Sequence, residues 1–140
     1  MVTTVQSSEK KINAGREDVY GFISDINNFT SLVPDGKVSN FEAQKDSCRF
    51  KAEGLGEVII RIVSREPRKN VVFESDGSLP FQFNVLIGLE DSGTGATAMK
   101  IVLQADLNMI MQAVAKKPLK EGLEVVASQL SEHLNSREWG

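Results

Sequence analysis

The stretch LNMIMQAVAKKPLKEGLEVVASQLSEHL, from Leu107 to Leu134, decides the fold. Its apolar positions are Leu107, Ile110, Met111 and Val114, then Leu119, Leu123, Val126, Leu130 and Leu134. Steps of three and four keep each group on one stripe of a 3.6-residue helix. The two stripes differ in direction, and the phase changes at Lys117-Pro118. Proline removes a helical N–H and clashes with the preceding turn, yet suits a first helical position. The sequence therefore predicts a kink or short break there, with Pro118 opening a second helix that runs to about Ser136. The first piece, with Met109, Met111 and Val114, is then placed to shift as a gate. A long one-faced helix needs a large apolar sheet to lie on.

That sheet is written upstream. From Lys37 the apolar period is two, as in half-buried strands. Cys48, Phe50 and Ala52 alternate with Arg49, Lys51 and Glu53. Val58, Ile60 and Ile62 oppose Arg61 and Arg65, while Val71, Phe73 and Ser75 form one face of the next segment. Phe81, Phe83, Val85, Ile87 and Leu89 give the clearest alternation, and Met99, Ile101, Leu103, Ala105 and Leu107 close the series. Turns are expected at Gly54-Leu55-Gly56, Pro67 to Asn70, Asp76-Gly77 and Ser92 to Gly95. Connections this short imply an antiparallel meander, because parallel pairing needs long crossovers.

Ahead of the meander, Thr4 to Ala14 reads as one strand. Glu17 and Asp18 favour a helix start, and Val19, Phe22, Ile23 and Ile26 mark its apolar face. Asn27-Asn28 suggests a break before a second short helix carrying Phe29, Leu32 and Val33, which Pro34-Asp35-Gly36 ends.

The chain has 140 residues, 41% hydrophobic and 25% charged, with a net charge of -3. That length suits a single domain spanning 1–140. An acidic balance argues against a nucleic-acid partner. No apolar run reaches the roughly 18 residues of a membrane span, and Met1 to Lys10 lacks the apolar core of a secretory signal. The single cysteine, Cys48, excludes an intramolecular disulfide and fits a cytoplasmic protein. The oligomeric state is not legible.

The order of strand, two short helices, about six further strands and a long helix resembles the helix-grip fold of the START-like, or SRPBCC, superfamily. Ile12-Asn13-Ala14 through Asp18-Val19-Tyr20, Phe22-Ile23-Ser24-Asp25 and Pro34 is similar to that group's entry motif. Pro80-Phe81-Gln82-Phe83, Ala105-Asp106-Leu107-Asn108 and Lys117-Pro118-Leu119 are similar to it as well. The superfamily includes birch-pollen-allergen-like, polyketide cyclase/dehydrase-like and coenzyme Q-binding proteins. The resemblance implies an α+β fold in which a curved antiparallel sheet of about seven strands wraps a long C-terminal helix. It also implies a cavity between them that often takes apolar molecules.

Catalytic and metal chemistry find little support. Structural zinc sites need several Cys and His ligands, and the chain offers only Cys48 and His133. A Ser-His-Asp arrangement would rest on His133 alone, which is expected at the helix flank. Cys48 is expected to be a small buried hydrophobe. The glycines of Gly54-Leu55-Gly56 and Gly93-Thr94-Gly95 lie between strands rather than before a helix, unlike phosphate loops. Glu53, Glu74, Glu90, Glu121, Glu124 and Glu132 fall on solvent-facing positions, and Asp25 and Asp106 read as caps or turn contacts. The cluster Arg61, Arg65, Arg68 and Lys69 reads as a solvated face. No catalytic residue, cofactor or metal is assigned.

What remains is an inward apolar set: Phe50, Ile60, Ile62, Phe73, Phe83, Val85, Ile87, Met99, Ile101, Leu103, Leu119, Leu123 and Val126. The inward polar candidates are Ser64, Ser75 and Thr97. The expected function is a binding or carrier domain for an apolar small molecule, such as a lipid, quinone or polycyclic compound, held by these side chains. Two alternatives stay open. One is a polyketide cyclase/dehydratase-like enzyme, which requires inward ionisable groups. The other is a protein-interaction module using its outer face or the tail with Trp139.

Overall fold

The computed structural model describes residues 2–32, 38–52, 56–76, 79 and 81–137. Strands β1 (Val2–Gln6) and β2 (Lys10–Ile12) precede helix α1 (Arg16–Ile23) and a 3₁₀ helix (Ile26–Leu32). Then come β3 (Val38–Ala43), β4 (Ser47–Ala52), β5 (Gly56–Glu66), β6 (Asn70–Ser75), β7 (Phe83–Asp91), β8 (Thr97–Asp106) and helix α2 (Met109–Ser136). The sheet order is β1-β8-β7-β6-β5-β4-β3, with β2 also pairing β8, and every pairing is antiparallel. This is the helix-grip architecture. The turns at Pro34-Asp35-Gly36, Gly54-Leu55 and Gly77, together with Val33, Glu53, Pro80 and Trp139, lie outside the described residues.

Three expectations about the strands and the short helices need correction. Thr4 to Ala14 is two strands rather than one. Gln6 pairs Val102 and Lys10 pairs Met99, so four steps on one side oppose three on the other, which is a bulge. Ser7 holds the irregular point by exchanging hydrogen bonds with Ile101. Its N–H donates to the Ile101 carbonyl (2.8 Å), and its Oγ accepts from the Ile101 N–H (3.0 Å). A second bulge lies between Ile62 and Ser64. Because the side-chain period is two, one extra residue exchanges the faces. Ser64, expected inward, is exposed. Arg65, opposite the buried Val71, remains exposed as expected and donates to the Ser24 carbonyl (2.8 Å) and to Asp46 (2.5 Å). The break expected at Asn27-Asn28 instead falls at Ser24-Asp25, where the Asp25 carboxylate accepts from the Asn27 N–H at 3.0 Å.

Helix α2 also differs from expectation. It runs unbroken through Pro118. Pro118 and Val114 are both exposed, so water can reach the Val114 carbonyl that loses its intrahelical donor. Only part of the first apolar stripe is covered. Leu107 is buried just before the helix and Met111 packs on the core, but Ile110 and Val114 are exposed. In the second half Leu123, Ala127, Leu130 and Leu134 are buried as one face.

Three polar ties fix where α2 lies. The Gln112 amide donates to Thr3 Oγ1 (2.7 Å). Glu124 accepts from the Ser8 N–H (2.6 Å) and hydroxyl (2.9 Å). Asn135 accepts from the Asn13 N–H (2.7 Å) and donates to the Lys11 carbonyl (3.1 Å). The intervals along the helix are about 18 Å and about 17 Å. Each matches about 17 Å of extended chain between Thr3, Ser8 and Asn13. The helix therefore runs alongside β1 and β2, covering that edge of the sheet.

Candidate functional site: an apolar cavity under one half of the helix

Because α2 is tied along β1 and β2, the concave face is covered unevenly. On β8, Met99, Ile101 and Leu103 are buried. On β4, β5 and β7, the equally inward Phe50, Ile60 and Val85 are only half-buried, although they pack against the core. Between them and the helix is a cavity of about 240 Å³.

Its walls come from four directions. The sheet floor is Cys48, Phe50, Ile60, Phe73, Val85 and Ile87. The helix contributes Val126, which is 38% exposed at the rim. Strand β3 adds Val38 and Phe41, and the Phe41 ring stacks on Phe50 at 5.9 Å. The 3₁₀ helix adds Ile26, Phe29 and Leu32. A 3₁₀ helix has three residues per turn, so this spacing of three aligns the side chains along one edge. Phe29 meets Phe73 edge-on at 6.3 Å and Phe22 at 6.2 Å, and Phe22 in turn packs on His133 at 5.2 Å. These ring contacts run from the end of α2 through the 3₁₀ helix to the sheet.

Among the thirteen side chains expected to face a ligand, the cavity brings together Phe50, Ile60, Phe73, Val85, Ile87 and Val126. Met99, Ile101, Leu103 and Leu123 lie instead in the packed half of the core. Ile62, Phe83 and Leu119 are partly buried against that core and do not line the cavity. Sequence reasoning missed Ile26, Phe29, Leu32, Val38 and Phe41, and it read Cys48 only as core. The apolar spacing of three at 26, 29 and 32 was the available signal. No residue between Met109 and Pro118 lines the cavity, so the gate expected there has no wall to move.

The polar side chains expected inward, Thr97 and Ser75, are occupied structurally and do not line the cavity. Thr97 Oγ1 donates to the Ala14 carbonyl at 2.7 Å, and Ser75 Oγ accepts from the Phe83 N–H at 3.0 Å. Cys48 is the one ionisable side chain in the described lining. Burial pushes its thiol up to about 11, partly offset by a backbone hydrogen bond from Ile60. A thiol so rarely ionised is a poor nucleophile. In the basic cluster, Arg65 is tied to Asp46 and Lys69 lies 3.5 Å from Glu66, so those two members are paired with acids. Among the described residues no group of three His, Cys, Asp or Glu is arranged to hold a metal ion, and no helix is long and apolar enough to cross a membrane.

No family model matches the chain, and no curated protein matches its sequence. Solved structures do match. A START superfamily protein from Mycobacterium smegmatis superposes with a TM-score of 0.74 at 14% identity, over 95% of this chain and 97% of that one. Norcoclaurine synthase from Thalictrum flavum gives 0.79 at 10% identity, over 98% and 88%. The same enzyme in complex with dopamine and hydroxybenzaldehyde gives 0.77 at 11% identity, over 100% and 90%. At such low identity the likeness is one of fold.

Proposed function

From the START-like fold shared with these structures, we propose that the chain binds an apolar small molecule in the cavity between the sheet and α2. A carrier of a lipid, quinone or polycyclic compound in the cytoplasm is the role we assign it. The observation that carries this reading is the half-burial of Phe50, Ile60 and Val85 around about 240 Å³ of apolar-walled space. An apolar cavity of roughly 150 Å³ holds one benzene ring. Ligand sites for drug-sized molecules are roughly 300–1,000 Å³. The space suits a one- or two-ring compound or a segment of an acyl chain.

Fluorescence titration with 1-aminonaphthalene tests the reading. One saturable site is expected, with loss of binding in Val85→Phe, which places a ring in the cavity. Native mass spectrometry of protein purified from its own host is expected to show a retained small molecule. Failure of the probe to bind, or equal binding by Val85→Phe, would overturn the assignment.

A further inference from the structure

We propose that the first three turns of α2 dock on an anionic lipid bilayer. Met109, Ile110 and Val114 are 75%, 78% and 64% exposed. On a helix they span an arc of about 140°, so they form one apolar face. Lys116, Lys117 and Lys120 follow on the next turns, all exposed and in no ion pair among the described residues. Between Leu107 and Lys120 there are three lysines and no acid, in a chain of net charge -3.

An apolar tip with lysines behind it is the pattern of a helix that seats its apolar face among lipid headgroups. The lysine ammoniums then meet lipid phosphates and carboxylates. A second copy of the chain fits less well. A symmetric contact sets the same patch against itself, which pairs apolar with apolar and offers the three lysines no anionic partner. The tip is also held firmly: Asn108 caps the helix by accepting from the Met111 N–H at 2.9 Å, and Gln112 is tied to Thr3. Exposure of Met109 and Ile110 is thus a feature of an anchored element. The inference goes beyond the cavity reading and does not depend on it, because docking is measured without cargo.

Co-sedimentation with phosphatidylcholine vesicles, with and without roughly 30% phosphatidylserine, tests it. Binding is expected only to the anionic vesicles and to fall as salt rises. Each of Lys116→Gln, Lys117→Gln and Lys120→Gln should weaken it about fivefold. The double variant Met109→Ser with Ile110→Ser should abolish it while leaving the melting temperature unchanged. Three results would overturn the inference: no anionic binding, binding indifferent to the double serine variant, or a dimer in buffer that Ile110→Ser dissolves. Val85→Phe, which is expected to lose the probe, should still sediment. In the unsubstituted chain, absence of probe uptake with vesicle binding intact counts against the cavity reading alone, and absence of vesicle binding with probe uptake intact counts against docking alone.

Discussion

Cys48 shows how much chemistry one position in this cavity can carry. Burial disfavours the thiolate and lifts its pKa from 9.0 to about 11. At pH 8 roughly a thousandth of such a thiol is ionised. Native protein should therefore react with a disulfide reagent far more slowly than urea-unfolded protein, a difference absorbance stopped-flow would read. The linkage has a definite sign. A pKa raised in the folded state leaves the contribution intact below pH 9 and removes it as pH climbs towards 11. Cys48→Ala should lose that part of the alkaline slope in denaturant midpoints. Glu124 has the opposite sign, because the Ser8 N–H and hydroxyl hold its carboxyl below the ordinary carboxylate value. Its contribution is present above the ordinary pKa and is lost as pH falls through the lowered one, so Glu124→Gln should flatten the acid limb. The apolar face of Cys48 was legible from alternation with Arg49. The partner of Glu124 was not, since no local pattern joins residue 124 to residue 8.

Among the elements, α2 sets the strongest test. Its amphipathic spacing was legible, and so was a phase change near Pro118. A break was not the outcome, because an exposed proline can leave the carbonyl it orphans to water. Proline in a helix interior costs about 3 kcal/mol relative to alanine. Pro118→Ala is therefore expected to stabilise the fold by about 1–3 kcal/mol in urea unfolding, with no change in 1-aminonaphthalene exchange, since this part of the helix borders no cavity. Asn108→Ala removes the cap and should cost about 1 kcal/mol. The bulge at Ile62 and Ser64 belongs to the same scale. Alternation of Ile60 and Ile62 against Arg61 extrapolates Ser64 inward, but which strand absorbs an extra residue depends on its partner β6. That pairing is not written in β5 itself.

Across the whole molecule, the curved sheet has one packed half and one open half, and the cause is the set of ties from Gln112, Glu124 and Asn135 to the β1 and β2 edge. Sequence periodicity assigned Ile101 and Val85 to the same inward class, because both lie on the same strand parity. Their environments differ only through the lateral position of α2, which side chains distant in sequence decide. The difference is measurable. Ile101 is 1% exposed beneath the helix, so Ile101→Ala leaves a closed void and should cost about 2–5 kcal/mol. Val85 borders a cavity that already exists, so Val85→Ala deletes fewer packing contacts and should cost less than about 1.5 kcal/mol. The reverse substitution separates the halves further. Val85→Phe has room and should preserve or raise stability while excluding the probe. Ala105→Phe, at a position 1% exposed on β8, overpacks the closed half and should cost about 1–3 kcal/mol. Equal costs for Ile101→Ala and Val85→Ala would mean that the two halves are packed alike, and that the cavity closes in solution.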